Sequence, residues 1–259
     1  MTAPLGVLVC VKRVVDSSGE VVLTDDGQSV DGRYAGYTMS NHEECAVEIA
    51  VQTTAATGGT ATVLSLGEPE AVEQLRAALA VGCTAAVHVE AEAGGFGPAD
   101  VAGEIAAVVR EHEAAGRPHD LVLLGNDAAD SGDFQVGIRL AYELGRPVVN
   151  GASRVSIEDG HVVAGVEAPT GYETYRIPLP AVVTVLEGGV EPRYPSVPGR
   201  MKAKKVEIES RPPAAEPRGS KRVRLLLPPP QPSSVQILGK GADAAPAVVD
   251  LLEQLGVTR

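Results

Sequence analysis

The sequence predicts an α/β fold, a doubly wound and mainly parallel sheet with an antiparallel extension and a C-terminal arm, and three observations point to it. Short apolar runs alternate with helical patterns through the first two-thirds of the chain, which is the mark of right-handed βαβ crossovers. Hydrophobic residues make up 44% of the chain but aromatic ones only 3%, so the core is aliphatic, as in sheets covered by helices. From about Val148 the texture changes to successive strand-like segments, which adds the antiparallel part.

LGVLVCV reads as a strand, HEECAVEIAVQTTAAT as a helix, TATVLSL as a strand, EPEAVEQLRAALAVG as a helix and AAVHV as a strand. Then come the helix GPADVAGEIAAVVREHEAAG, the strand HDLVLLG and the helix DFQVGIRLAYELG, stopped by Gly145 and Arg146-Pro147. PVVNGASRVSIEDG, HVVAGVEA, YETYRIPL and PAVVTVLE are strand-like, with Asp159-Gly160 marking a hairpin turn between the first two. Residues 187–205 hold three prolines and a basic cluster, a structured loop before a short helix. Residues 208–234 are a linker by their Pro and charge content, and ADAAPAVVDLLEQLG returns to helical period.

Charge and cysteine usage restrict function. Acidic residues outnumber Lys and Arg by 34 to 22, a net charge of −12, so the electrostatic drive toward nucleic acid is missing. No apolar run approaches the roughly 20 residues of a bilayer span, and a soluble, cytoplasmic protein, not membrane-embedded, is expected. Cys10, Cys45 and Cys83 are too few and scattered for a disulfide framework or zinc site. The histidines show no metal-ligand spacing, and no residue set nominates a catalytic nucleophile.

The densest polar motif comes after the strand LVLL: Gly125, Asn126, Asp127, Ala128, Ala129, Asp130, Ser131, Gly132, Asp133, Phe134, Gln135 and Val136. In an open parallel sheet, ligands bind at the carboxyl ends of strands, where a helix start offers free N–H groups to phosphate. Asp130 and Ser131 serve equally well as plain helix caps. Other turns end parallel strands at Val11-Lys12-Arg13 and Leu66-Gly67-Glu68, and Met39-Ser40-Asn41-His42 leads into the first helix. Ser40 or Asn41 is also a simple cap, with Glu43 and Glu44 favouring the helix dipole. Neither GxGxxG nor GxxxxGK[ST] occurs. Lys202, Lys204 and Lys205 form either a solvated face or a patch for an acidic partner.

VLVCVKRVVD, MSNHEECAVEIAV, GEPEAVEQLRAALAVGC, DLVLLGNDAADSGDFQVG and LPAVVTVLEGGVEPRYPSVPGRMKAKK together resemble electron-transfer flavoprotein beta subunits, in order from about residue 5 to 208. The resemblance implies an adenine nucleotide α-hydrolase-like fold for residues 1–207, with residues 208–259 as linker and arm packing on a partner. It implies a heterodimer with an alpha subunit, FAD shared with that subunit, and a structural AMP, or in electron-bifurcating members a second FAD, held by this chain. The residues it assigns to that site are Cys10, Ser40, Asn41, His42, Glu43, Leu66 and Gly125 to Val136. It further implies that Glu191, Pro192, Arg193, Tyr194, Val197, Met201, Lys202 and Lys205 dock acyl-CoA-type or related dehydrogenases, with electrons passed on to a quinone oxidoreductase or other acceptor. Such a subunit is an electron carrier rather than an enzyme. The chain departs from the family at His42 and Ser17, where aromatics are common, and at Val197, usually Leu. A stand-alone adenine-nucleotide-binding regulator is the alternative for the first 150 residues.

Overall fold

The computed structural model describes residues 4–16, 21–33, 36–219, 222–229 and 235–257; Ser17 lies outside them. The chain divides into two compact units, Met1–Leu225 and Leu226–Arg259.

The first unit is built on one sheet. Its strands are β1 (Gly6–Cys10), β4 (Thr60–Gly67), β5 (Ala85–Glu90), β6 (Leu121–Gly125), β7 (Val148–Glu158), β8 (His161–Ala168), β9 (Gly171–Pro178), β10 (Ala181–Val185) and β11 (Ile208–Arg211), and β2 (Val14–Val15) and β3 (Tyr37–Thr38) form a separate ribbon. The order is β11-β5-β4-β1-β6-β10-β7-β8-β9. Neighbours from β11 to β7 are parallel, while β8 and β9 add antiparallel. The central strands read as unbroken apolar runs because both their faces are covered: every residue of β10 is buried. The long strand β7 changes partner along its length, pairing with β10 near its start and with β8 beyond Ala152. Asp159 and Gly160, at φ 48° and 71°, make the expected turn into β8, with the left-handed backbone that a two-residue hairpin requires.

Helices α1 (Asn41–Thr57) and α2 (Val72–Val81) cover one face, where Cys45, Ile49, Leu75 and Leu79 pack on Val7, Val9 and Val63. Helices α3 (Pro98–Ala114) and α4 (Val136–Leu144) cover the other, with Ile105, Val109 and Leu140 against Leu8, Leu64 and Val122. Ser40 caps α1 and shares a capping box with Glu43, which satisfies two amide groups that the helix start leaves open. Helix α4 starts later than its pattern suggests, at Val136, with Gln135 at its N-cap and no side-chain cap bond. The reading of Asp130 and Ser131 as caps is therefore corrected. Residues 126–135 stay outside the helix, and the Asp130 carboxylate is taken by Lys12 Nζ at 2.7 Å.

The expected linker from residue 208 is corrected too. Its first residues form β11 on the edge of the sheet beside β5, and the chain from Arg211 to Gly219 is strapped along α3. Arg211 pairs with Glu111. Glu104, buried, accepts the N–H groups of Ala214 and Ala215 at 2.7 and 3.0 Å, and Asp100 those of Arg218 and Gly219, both at 2.9 Å. Proline-rich chain without a ladder of its own meets its hydrogen-bonding needs in this way.

A buried histidine pair fixes the same edge. His112 Nδ1 lies 2.9 Å from His119 Nε2, and His112 Nε2 is 3.3 Å from Glu209 Oε1 in β11. Burial, reinforced by the charges of His112, Arg146 and Arg117, depresses the His119 pKa to about 4. The unfolded chain takes up this proton near the ordinary 6.5 while the folded one resists until about 4. The stability it contributes is thus complete above 6.5 and is lost as pH falls through that window. The urea midpoint should drop between pH 6.5 and 5 by the equivalent of about 1–2 kcal/mol, and His119→Gln should flatten the slope. A variant as steep as wild type assigns the proton elsewhere.

The second unit contains helix α6 (Ala245–Gln254) behind a short 3-10 turn, Gly241–Ala244. None of its described residues is buried, and Val248, Val249, Leu251 and Leu255 are exposed.

Candidate nucleotide cleft and docking loop

The chain crosses from β1 to β4 and β5 on one side and then to β6 and β10 on the other, so β1 is the topological switch point. Loops leaving neighbouring strands there diverge to opposite faces and open a crevice at the strands' carboxyl ends. A cleft open to solvent lies at that place, lined by strand ends, the start of α3 and the loop after β6. Cys10, Leu64, Leu66 and Leu124 from the strand ends form its floor. Phe96, Pro98, Val101 and Ile105 form an apolar wall, and Asn126, Asp127, Ala128, Ser131 and Asp133 form a polar rim.

Glu43 closes the cleft between α1, β1 and β6. Its Oε1 accepts the Lys12 N–H at 2.6 Å, and Oε2 accepts the Ser40 N–H at 2.9 Å and the Ser40 hydroxyl at 3.0 Å. Burial pushes its pKa up to about 7 against these bonds. Burial likewise raises the Cys10 thiol, with the Glu43 charge adding to the shift. Gly125 is required here: a Cβ on it would meet Glu43 Cγ at 2.9 Å and His42 Cβ at 3.3 Å. Asn126 is fixed by the Thr184 hydroxyl, which donates to its Oδ1 at 2.8 Å. His42 Nδ1 accepts the Glu187 N–H at 2.9 Å, so Nε2 carries the proton of the neutral ring and faces Asp127 Oδ1 at 3.1 Å.

Of the residues marked from sequence, Cys10, Glu43, Leu66, Gly125, Asn126, Asp127, Ala128, Ser131, Asp133 and Val136 line the cleft. The others stand around it. Ser40 is a cap, Asn41 borders a shallower depression with Glu187–Pro192, and His42 braces the Asp127 rim. Asp130 is paired with Lys12, Gly132 adopts φ 63°, Gln135 accepts from Arg139, and Ala129 and Phe134 are exposed. The sequence reading missed the apolar wall, while the turn it marked after the first strand does supply Val11 and Lys12 to the lining. The wall's signal was Gly94-Gly95-Phe96-Gly97-Pro98 soon after a strand, with one of the chain's two phenylalanines in it.

The loop after β10 leads into helix α5 (Val197–Ala203), capped by Ser196, whose Oγ accepts the Gly199 N–H at 3.1 Å. Tyr194, Val197 and Met201 project with 94%, 76% and 56% of their surface exposed. Lys202, Lys205 and Glu191 are exposed beside them, and Pro192 is half-buried. Arg193, half-exposed itself, reaches back to α1. Its Nε and Nη2 donate to the two oxygens of buried Glu48, each at 2.7 Å, and its N–H donates to Oε2 at 3.2 Å. Burial drives the Glu48 carboxyl up, but bonds from Arg193 and Gln52 outweigh it and hold the pKa below the ordinary value. The carbonyls of Ala203 and Val206 accept from Arg76. The loop is thus pinned at both ends with its apolar side chains left free.

A doubly wound α/β domain with a cleft at its switch point and a braced, outward-facing loop is the class that fold and site define. Residues 30–216 match the family model described as "Electron transfer flavoprotein domain". The chain is 32% identical over 256 residues to the electron transfer flavoprotein subunit beta of Bacillus subtilis, spanning 96% of this chain and 97% of that one. It is 34% identical over 237 residues to that of Syntrophomonas wolfei, 90% of each chain, and 37% identical over 211 residues to that of Homo sapiens, 80% of this chain and 81% of the human one. The chain belongs to the electron transfer flavoprotein beta-subunit family.

Proposed function

We propose that this chain pairs with an alpha subunit, shares FAD with it, holds AMP in the cleft at the switch point, and carries electrons from acyl-CoA-type or related dehydrogenases to a quinone oxidoreductase or other acceptor in the cytoplasm. The observation that carries this reading is that family membership spans the cleft and the braced loop in one chain. The residues fit AMP: Phe96, Leu64 and Leu66 offer an apolar slot for a purine, and the rim from Asn126 to Asp133 offers amides to a phosphate. A second FAD in place of AMP is the variant of this reading. Bound FAD supplies the electron chemistry, and this chain's part is to hold the nucleotide, complete the wall beside the flavin and present a docking surface. Residues 226–229 and 235–257, with apolar side chains exposed, supply the arm for the alpha subunit. Extraction of the purified heterodimer should release FAD and AMP in equal amounts; two FAD and no AMP selects the variant, and no adenine nucleotide beyond one FAD rejects a site in this cleft.

The docking role gives a second test. Tyr194, Val197 and Met201 are the apolar anchors, with Lys202 and Lys205 as the charged rim, and anchors govern affinity while rim charges steer encounter. Val197→Ala removes about two methyl groups' worth of burial, roughly 1–2 kcal/mol, and should raise the apparent KM for the flavoprotein in a dehydrogenase-coupled assay about fivefold to thirtyfold. Lys202→Glu with Lys205→Glu should slow association mainly at low ionic strength. Unchanged transfer in both removes the loop from docking.

A further inference from the structure

Charge at the cleft is lopsided. Glu43, Asp127 and Asp133 line it, and Lys12 is the single cation among its described lining residues. A nucleotide monophosphate brings about two negative charges near neutral pH. Close to carboxylates in partly desolvated surroundings it is repelled unless a cation meets it. Backbone amides around the rim can bond phosphate oxygens but carry no net charge. Neutralisation falls to Lys12.

Lys12 is not free to do this at once. Its Nζ is held by Asp130 Oδ1 at 2.7 Å, across the gap between the end of β1 and the loop after β6. The other carboxylates are differently engaged: Glu43 by Ser40 and the Lys12 N–H, Asp127 by His42. The Lys12–Asp130 side chains are 34% and 29% exposed, and pairs this open to water are weak. A lysine on its flexible four-carbon stem can change partner without moving backbone.

We infer that Lys12 is the phosphate-pairing residue of the cleft and that Asp130 is its internal competitor, surrendering the ammonium group when a nucleotide phosphate enters. The inference rests on the reading of the cleft as an adenine-nucleotide site. The exchange makes affinity depend on phosphate charge. A dianionic phosphate outcompetes one carboxylate for Lys12, a monoanion gains little over Asp130, and a nucleoside leaves the ion pair in place.

Calorimetric titration of the full-length heterodimer, stripped of nucleotide, with AMP and with adenosine tests this. The readout is the ratio of the two affinities on each protein, which cancels any difference in the fraction folded. Lys12→Met should lower the AMP-to-adenosine ratio about tenfold, the usual scale for one charge-assisted bond, and Lys12→Arg should retain most of it. Asp130→Asn should raise the ratio about threefold to tenfold. The double variant should match Lys12→Met, because no ammonium remains to be released. A ratio unchanged by Lys12→Met, or an Asp130→Asn gain that persists in full without Lys12, overturns the assignment while leaving the nucleotide site standing. Wild-type protein that binds neither ligand overturns both.

Discussion

Arg193→Ala should destabilise the protein by about 1.5–3 kcal/mol and loosen the loop after β10 in one step. Glu48 is 3% exposed and receives two side-chain bonds and one backbone bond from Arg193. Truncating the arginine removes the two guanidinium bonds but leaves Glu48 the backbone N–H of residue 193 and Gln52, 2.6 Å away, and opens it to water where the half-exposed guanidinium lay, so the cost is that of two lost charge-assisted bonds. The measurement is the urea midpoint at pH 7, with the rate of proteolytic cleavage within the loop recorded alongside. Glu48→Met placed on top of Arg193→Ala should recover part of the stability, since it removes a carboxylate that has lost its cation, but should not restore the loop's brace. Equal stability of Arg193→Ala and wild type would mean that the carboxylate is satisfied elsewhere.

Glu104→Ala is expected to cost about 2–4 kcal/mol, from two backbone N–H groups losing a charged acceptor and from the space left in α3. The local result is more specific than the global one. Ala214 and Ala215 lose the acceptors that tie them to α3, so residues 212–219 should become the first site cut by a non-specific protease, with β11 still protected. Asp100→Ala should open the same strap from its far end, near Arg218 and Gly219. A digestion pattern identical to wild type in both variants would show that packing, not these carboxylates, holds the strap.

The frame of the fold was legible because its strands are covered on both faces and therefore apolar throughout, and because Asp159-Gly160 is a turn signal with a backbone reason behind it. The features that escaped have a common cause: partners far away in sequence. Asp130 looks like a cap until Lys12, 118 residues earlier, claims it. Residues 208–219 have the composition of a linker, and a set of carboxylates on α3, roughly 100 residues upstream, makes them a strap. Arg193 sits in a motif that suggests a surface contact, and Glu48, 145 positions away, ties down its guanidinium. For the cleft, the strand-end loops were readable from their position in an open sheet. The apolar wall was not, since Gly94 to Pro98 reads locally as an ordinary turn.

The three cysteines, one in β1, one in α1 and one just after α2, make the folded protein its own record of opening. Each is unpaired and buried. Burial holds the Cys10 and Cys45 thiols above their ordinary pKa and pushes Cys83 up to about 12. The thiolate is the form that reacts, so alkylating reagents and peroxide meet three inert groups as long as the layers stay closed. Labelling then proceeds at the rate at which each segment exposes its thiol, and the three sites time the detachment of the central strand, of the first helix and of the second separately. A member of an electron transfer flavoprotein family thereby keeps its three thiols out of redox chemistry for as long as it stays folded.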